Sequence, residues 1–484
     1  NHFLFIIYLE YTIYFKESMK AQKNFYKILF LLFLKLLLVS CSVYKENIDL
    51  SIEIPTPKTD KWEAVNINID SSLVINDNWW EIFNDELLDS TMQIFIKNNF
   101  DLQLATSSLK ASKAISKIDG SDILPRVNLS ILDGNALGIG SSIPSNMYGI
   151  NLSSSWELDI WGKLLSKRFS SKKEYQATKY DYNFLRLSII SQGVKMYYNI
   201  IEAKEQQVLA ESSVNSFQDI LNFVETRYNQ GVRSSLDYRL ALSNLTVSKA
   251  VLEQKKIIID NLTKQMEVML GLYPTGTYAT INRLPKNILP IPPNMPSFVI
   301  AKRPDIKASY SRLQSAKYQL DYAKKSMLPM INLTDNSGML SSSLENLFDG
   351  DFSIWNLGKS ISLPIFQSGK IKANIELAKS MYDQAEIQYV YVILKAFSEI
   401  ETKLSNDRML NDQLEALNAA YIQSNEAYTL ALDRYNNGLS DLITVLDSQR
   451  KMFDTRGQMI TVRNLIIQNR IDLLICLGGR YSET

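Results

Sequence analysis

From Tyr148 to Ile160 the side chains alternate in character. Tyr148, Ile150, Leu152, Trp156, Leu158 and Ile160 fall on one face, and Gly149, Asn151, Ser153, Ser155, Glu157 and Asp159 on the other. A period of two predicts a strand, and an apolar face backed by a polar one suits a strand between a greasy and a wet phase. The pattern stops at Gly162. From there to Asn229 no proline occurs, and Ala, Leu, Lys, Glu, Gln and Ile dominate. That stretch predicts one helix about 100 Å long. It ends in Arg227-Tyr228-Asn229-Gln230-Gly231, whose glycine suits a left-handed C-terminal cap. A second helix then returns over roughly Ser235–Leu270.

The same order of elements occurs twice. Asp101–Ser130 aligns with Asp305–Thr334, 204 residues on, with Asp, Leu, Lys, Leu-Pro and Asn-Leu in register. Ser155–Lys163 aligns with Ser362–Lys370, Arg227–Gly231 with Arg434–Gly438, and Met269–Gly271 with Cys476–Gly478, each 207 residues on. Each copy reads as a helix closed by Leu-Pro (Leu124-Pro125, Leu328-Pro329), two strands, a long helix and a returning helix. Proline ends the first helix because it breaks the ladder and clashes with the preceding turn. In the second copy Trp355, Leu357, Ile361, Leu363 and Ile365 oppose Asn356, Gly358, Ser360 and Ser362. The long helix there runs to Asn437, and its return covers roughly Asp441–Leu477.

Two strands per copy make four per chain, and four cannot close a barrel. Lipid satisfies no exposed backbone group, so a sheet that spans it must close, and the smallest membrane barrels have eight strands. The chain is therefore expected to oligomerise about an axis. Three copies give twelve strands and room for a lumen, whereas eight strands are nearly filled by side chains. The fold class expected is an α+β membrane protein: a trimeric 12-stranded β-barrel, four strands per chain, continued by a long α-helical barrel, with internal duplication. A coiled-coil rod without a pore is the rival, but it leaves the strands at the mouth of each long helix unexplained.

The front end changes the picture. From Met19 a basic stretch (Lys20, Lys23, Lys27) precedes an apolar run, Ile28–Val39, interrupted by Lys35. This reads as a secretory signal over 19–40 rather than a spanning helix. It ends Leu38-Val39-Ser40-Cys41, which resembles the bacterial lipobox and makes Cys41 the expected lipidation site. Residues 41–83 read as a lipid-anchored extension, 84–297 as the first repeat and 298–484 as the second. Residues 1–18 lack a methionine and are read as upstream sequence.

Composition excludes whole classes. Lys plus Arg is 52 against 51 for Asp plus Glu, a net charge of +1. That is not the strong basic excess of a nucleic-acid binder. The one histidine, His2, precedes Met19, which removes His-based triads and most zinc sites from the expected product. With no phosphate-cradling glycine loop and no metal-ligand cluster either, an enzyme is not expected, and neither is a cofactor or metal. The two cysteines, Cys41 and Cys476, are too few for a disulfide framework, and Cys476 lies on an apolar face suited to packing.

Several segments together carry a family resemblance: "NWWEIFNDELLDSTMQIFIKNNFDLQLA" (from Asn78), "WELDIWGK", "KRPDI" (Lys302–Ile306), "PIFQSGKIKANI" and "RYNNGLSDLITVLDSQR". From about Asn78 to Gly479 the chain resembles the TolC-like outer membrane efflux proteins, in particular the lipoprotein branch of OprM type that serves resistance–nodulation–division (RND) pumps. The resemblance implies a homotrimer in the outer membrane, with a periplasmic extension. It implies passive export of small molecules delivered by an inner-membrane pump through a periplasmic adaptor, a membrane fusion protein. A type I protein secretion duct is the alternative. The resemblance also places Arg227, Tyr228, Gly231, Arg434, Tyr435 and Gly438 at the periplasmic tip, in contact with the adaptor, and Asp447 at the aperture. Arg434 and Tyr435 also fit plain helix capping, although the recurrence of the motif at equivalent places favours the tip contact; Asp447 fits a plain surface charge equally well. Where one branch of the family has a second aspartate this chain has Thr444; Asp441 either compensates or starts a helix. Trp156, Trp161 and Trp355 fit either an interfacial belt or packing where strands meet helices.

The lipid reading is directly testable. Labelled palmitate is expected to be incorporated into the wild-type protein and not into a Cys41→Ser variant. Equal labelling of the two would remove Cys41 as the site.

Overall fold

The computed structural model describes residues 50–53, 78–136, 145–281, 283–285, 300, 302–348 and 353–476. The expected signal peptide, Cys41, residues 1–18 and most of the N-terminal extension lie outside the described residues. A short 3-10 turn, Trp79–Phe83, is followed by α1 (Glu86–Asn98), α2 (Phe100–Ser121), β1 (Arg126–Ala136), β2 (Ser145–Glu157), α3 (Lys163–Asn229) and α4 (Ser235–Met269). The second half gives α5 (Pro304–Lys325), β3 (Met330–Ser341), β4 (Ser353–Ser362), α6 (Lys370–Asn436) and α7 (Leu442–Cys476). The long helices α3 and α6 are both 67 residues, and α4 and α7 are both 35, so the duplication extends to element length.

The chain forms two compact units. One comprises residues 1–51, 114–174 and 313–385, the other 52–113, 175–312 and 386–484. Each draws on both repeats. The first contains the sheet, four antiparallel strands in the order β1-β2-β3-β4. Opposed residues share a face, so register sorts the side chains. Leu129, Leu152, Ser337 and Trp355 form one row, and Ile131, Ile150, Met339 and Ser353 the next. The other face carries Asn128, Ser130, Asn151, Ser153, Asn336 and Asn356. Among the described residues β1 and β4 each have one edge with no strand beside it. The apolar face is bare: Val127, Leu129, Ile131, Trp355, Leu357 and Ile361 are all more than half exposed.

Three expectations are corrected. The first helix is two: Asn99 adopts an extended conformation (φ −61°, ψ 124°) between α1 and α2. Its side chain accepts from the Leu102 N–H at 3.0 Å, capping α2, and donates to the Met269 carbonyl at 3.0 Å. Each Leu-Pro follows a turn instead of ending the helix directly, as in the Leu124 N–H to Ser121 bond of 2.9 Å. The alternation also overruns the strands. β2 stops at Glu157, and Ile160 lies in the turn leading to Gly162; β4 stops at Ser362, so Leu363 and Ile365 lie beyond it. The indole N–H groups of Trp156 and Trp161 donate to the Ile123 and Pro329 carbonyls, each at 2.8 Å, while Trp355 is exposed.

In the second unit the helices pack through a polar seam. Lys195, Asn199, Glu202 and Gln206 recur along one side of α3, as Gly457, Thr461, Asn464, Gln468 and Asp472 do along α7. Gln206 donates to the Gly457 carbonyl and to Thr461. Glu202 accepts from Thr461 and Asn464, Asn199 from Asn464 and Gln468, and Lys195 pairs with Asp472. Neighbouring apolar side chains, among them Tyr197, Ile200, Ile201, Ile467 and Ile471, form the largest core cluster. The helices thus meet by specific hydrogen bonds flanked by hydrophobic burial.

Duplication also places two anchors. Arg303 stands 204 residues after Asn99, and Cys476 stands 207 after Met269. Asn99 bonds the carbonyl of Met269, and Arg303 bonds that of Cys476 at 3.3 Å. Arg303 is 2% exposed and forms ion pairs with Asp305 and Glu399, each at 2.7 Å. Burial works against its charge, and the two carboxylates more than offset this, so the guanidinium is held above the ordinary arginine value. Beside it, burial pushes the Cys476 thiol up to about 11, as expected of an inert packing cysteine.

Removing one member of a buried ion pair leaves charge without compensation. Arg303→Met should therefore destabilise the detergent-solubilised protein by about 3 kcal/mol, read from chemical denaturation. A change within about 0.5 kcal/mol, typical of plain surface substitutions, would show that the anchor contributes nothing.

Candidate functional site

The residues singled out at the ends of the long helices converge in the second unit. α3 and α6 both close with the same motif. Gly231 (φ +73°) and Gly438 (φ +76°) occupy the left-handed region. The Val232 N–H reaches back to Arg227 and Gly231 to Tyr228; Leu439 reaches Arg434 and Gly438 reaches Tyr435, all at 2.8–3.1 Å. This is the Schellman pattern, which satisfies the last carbonyls of each helix. A Cβ at either glycine would meet nothing within 4 Å, so dihedral angle and not space selects glycine.

The two hairpins touch through arginines of the first copy. The Arg227 guanidinium lies 4.1 Å from the Phe223 ring centre and donates to the Asn436 carbonyl at 3.1 Å. Arg233 lies 4.3 Å from the Tyr435 ring centre and donates to the Tyr435 carbonyl at 3.3 Å. Both cations therefore sit at the C-terminal, negative end of α6, where the helix dipole favours them. Beneath them Phe217, Ile220, Leu221, Val224, Leu442 and Val445 make a separate apolar cluster.

The copies are not equivalent here. Tyr435 is 1% exposed, and its buried hydroxyl has no hydrogen-bond partner among the described residues. Burial raises its pKa, with the Arg233 charge acting in the opposite direction. Tyr228, its counterpart, is 40% exposed and stacks on Tyr238 at 5.5 Å. Arg227 is engaged, whereas Arg434 is exposed, its carbonyl accepts from the Leu439 N–H, and its guanidinium has no partner among the described residues. The break in symmetry traces to Arg233, which has Ser440 at the equivalent position, and to Tyr238, which has Val445. Neither belongs to the repeated motif, and the only sequence signal for them is that mismatch between the two copies.

Two acids resolve differently. Asp441 caps α7: its carboxylate accepts from the Thr444 hydroxyl and from the Thr444 N–H at 2.9 Å, and these bonds lower its pKa. Ser234 caps α4 at the equivalent place, accepting from the Asp237 N–H at 3.2 Å. Asp441 is thus a helix-start residue. Asp447 is exposed and paired with Arg450 at 2.8 Å. Cys41 lies outside the described residues. The site holds helix ends together by cation–π contacts, carbonyl bonds and packing.

Comparison with known proteins bears on this architecture. Residues 91–255 and 295–479 match the outer membrane efflux protein family. The chain is 26% identical over 415 residues to the probable efflux pump outer membrane protein SepC of Pseudomonas putida, covering 84% of this chain and 86% of that one. It is 27% identical over 455 residues to the pyoverdine export outer membrane protein OpmQ of the same species, covering 90% and 95%. Among solved structures, the outer membrane channel CmeC of Campylobacter jejuni superposes with a TM-score of 0.80 at 26% identity, covering 89% of this chain and 95% of that one. The open state of the Neisseria gonorrhoeae channel MtrE gives 0.74 at 24%, covering 88% and 98%, a likeness of fold.

The asymmetry makes a discriminating prediction. Arg233→Ala removes a hydrogen bond and a cation–π contact, together worth about 1.4 kcal/mol. Amide exchange over 434–440 should quicken about tenfold. Arg434→Ala should leave those amides unchanged. Equal effects of the two substitutions would reject the assignment of Arg233 as the holding residue.

Proposed function

This chain belongs to the outer membrane efflux protein family, and from that premise we propose that it works as the passive exit duct of a tripartite efflux system. Its place is the outer membrane. The observation that carries the reading is the unfinished sheet: four strands, two open edges and a bare apolar face. Three copies would complete a twelve-stranded barrel, leaving no open edge in lipid and facing the polar rows of Asn and Ser inward. Lipid on Cys41 would add a second membrane attachment.

The partners in this reading are two further copies of the chain, a periplasmic adaptor and an inner-membrane RND pump. The hairpin tip, with Arg227, Tyr228, Gly231, Arg434, Tyr435 and Gly438, is the proposed adaptor contact, and Asp447 the proposed aperture residue. The exposed Arg434 supports the first assignment, because a cation without a described side-chain partner is free to meet another chain. The cargo class is drugs or other small molecules, in line with relatives named for toluene, solvent and antibiotic efflux and for pyoverdine export. The duct itself performs no chemistry.

Purified protein should therefore have the mass of three chains in detergent and should conduct ions across a planar lipid bilayer. A monomer that conducts nothing would overturn the reading.

A further inference from the structure

The internal duplication fixes a contact that a single chain does not contain. Strand β3 follows β1 by 204 residues and β4 follows β2 by 207. The hairpins obey these offsets: Ser130 pairs with Asn151, and their counterparts Thr334 and Gly358 also pair. The junction between the copies, β2 on β3, pairs Leu152 with Ser337, Ser154 with Asp335 and Trp156 with Leu333. In a closed ring, which is the reading proposed above and on which this inference rests, the equivalent junction is β4 of one subunit on β1 of the next. Carrying each residue to its counterpart turns Leu152 opposite Ser337 into Lys359 opposite Asp133. Ser154 opposite Asp335 becomes Ile361 opposite Ile131, and Trp156 opposite Leu333 becomes Leu363 opposite Leu129.

From this we infer that Lys359 forms an ion pair with Asp133 of the adjacent subunit on the lipid-facing side of the barrel, one pair at each seam between subunits. Three features of the chain support it. First, Lys359 shares the apolar face with Trp355, Leu357 and Ile361 on β4, and Asp133 shares it with Val127, Leu129 and Ile131 on β1. Each is the one charged residue in its strand's share of that face. A lone charge facing hydrocarbon is costly, and a directly opposed partner of opposite sign offsets that cost. Second, neither forms an ion pair with a described residue of its own chain. Asp335 is the other carboxylate on this face. It lies diagonal to Lys359, opposite Leu357, and accepts from the Ser337 hydroxyl at 3.3 Å. Directly opposed side chains are closer than diagonal ones, so Asp133 has the better geometry. Third, the register explains the overrun of the alternation. It carries β4 pairing past Ser362 to Pro364, opposite Asn128, just as β2 pairs through Glu157 opposite Asn332. Leu363 then covers Leu129, and Ile365, 91% exposed in the single chain, falls level with Val127. Shifting the register by one residue would instead place Lys359 opposite a residue of the polar face.

The test is disulfide trapping, since opposed residues of an antiparallel pair have the Cα separation that a disulfide needs. The full chain carries Asp133→Cys and Lys359→Cys together, with Cys476→Ser to remove the buried thiol. Oxidation should yield a ladder up to a covalent trimer on denaturing gels. Each single cysteine, and the off-face pair Asp133→Cys with Ser360→Cys, should stay monomeric. A ladder from Ile131→Cys with Lys359→Cys, and none from the 133/359 pair, would overturn the register while leaving the trimer intact. A wild-type protein that is monomeric in detergent would instead overturn the barrel reading beneath it. The charge is tested separately by heating the trimer in detergent. Lys359→Asp should lower the temperature at which subunits separate, and Lys359→Asp combined with Asp133→Lys should restore it. If the swapped pair is no better than Lys359→Asp alone, the ion pair is wrong even where the register holds.

Discussion

Backbone amides and carbonyls in lipid have nothing to bond to except one another, and the rest of this structure follows from that constraint. Unpaired backbone groups in hydrocarbon cost several kcal/mol each. A strand that leaves one edge open is tolerable in water and not in a bilayer. The described residues make four strands, joined in sequence order into one antiparallel sheet whose two outer edges have no described strand beside them. Its alternation then places Leu129, Ile131, Trp355 and Ile361 on a face that no described residue covers. Subunit association is in this sense part of folding. The sheet is a fragment whose completion lies in other copies, and its apolar face is a finished outer wall for a structure that one chain does not close.

Duplication is an economical answer to that constraint. A ring built from repeated units needs each unit to meet its neighbours in one register, and a period-two pattern punishes slippage by turning every side chain to the wrong face. Both hairpins keep the same register, both long helices the same length, and both close with glycine in the left-handed region. The anchors follow suit, with Asn99 and Arg303 each bonding the final carbonyl of a 35-residue helix. One is a neutral cap and the other a buried cation balanced by Asp305 and Glu399, so the position is preserved while the chemistry differs. Departures from the repeat mark places where the two copies do different work. At the tip Arg233 has no counterpart but Ser440, and Tyr435 is buried while Tyr228 is open.

Much of this was legible in the sequence because it rests on local physics. Alternation gave the strands, the absence of proline gave the long helices, and Arg-Tyr-Asn-x-Gly gave their ends to within a residue or two. The misses have a common cause in tertiary contact. The break at Asn99 carries a local signal, an asparagine that caps α2 through the Leu102 N–H, but one such residue inside a long polar and apolar run does not by itself end a helix; its bond to a carbonyl 170 residues away fixes the break. Apolar residues at 158, 160, 363 and 365 continue the alternation past the ends of β2 and β4, because chain pairing, and not side-chain pattern, ends a strand. With Ser440 at the equivalent position in the second copy, Arg233 lies just outside the repeated motif. Its importance comes from reaching a helix end some 200 residues distant in sequence.

The long helices raise a last question of specificity. A pure leucine seam would bind α3 to α7 firmly, but it would accept neighbouring registers at little cost, since one apolar side chain packs much like the next. Polar pairs do not. Asn199 with Asn464 and Gln468, or Gln206 with Thr461, is satisfied at one axial offset, and a slip of one helical turn leaves several groups unbonded. Buried polar residues serve the same end in coiled coils, fixing register at some cost in stability. The flanking cluster of Tyr197, Ile200, Ile201 and Ile467 supplies the burial that the seam gives up. Strands and helices thus solve one problem by different means. In the sheet, register is held by which face meets lipid; in the helices, by which hydrogen bonds can be made.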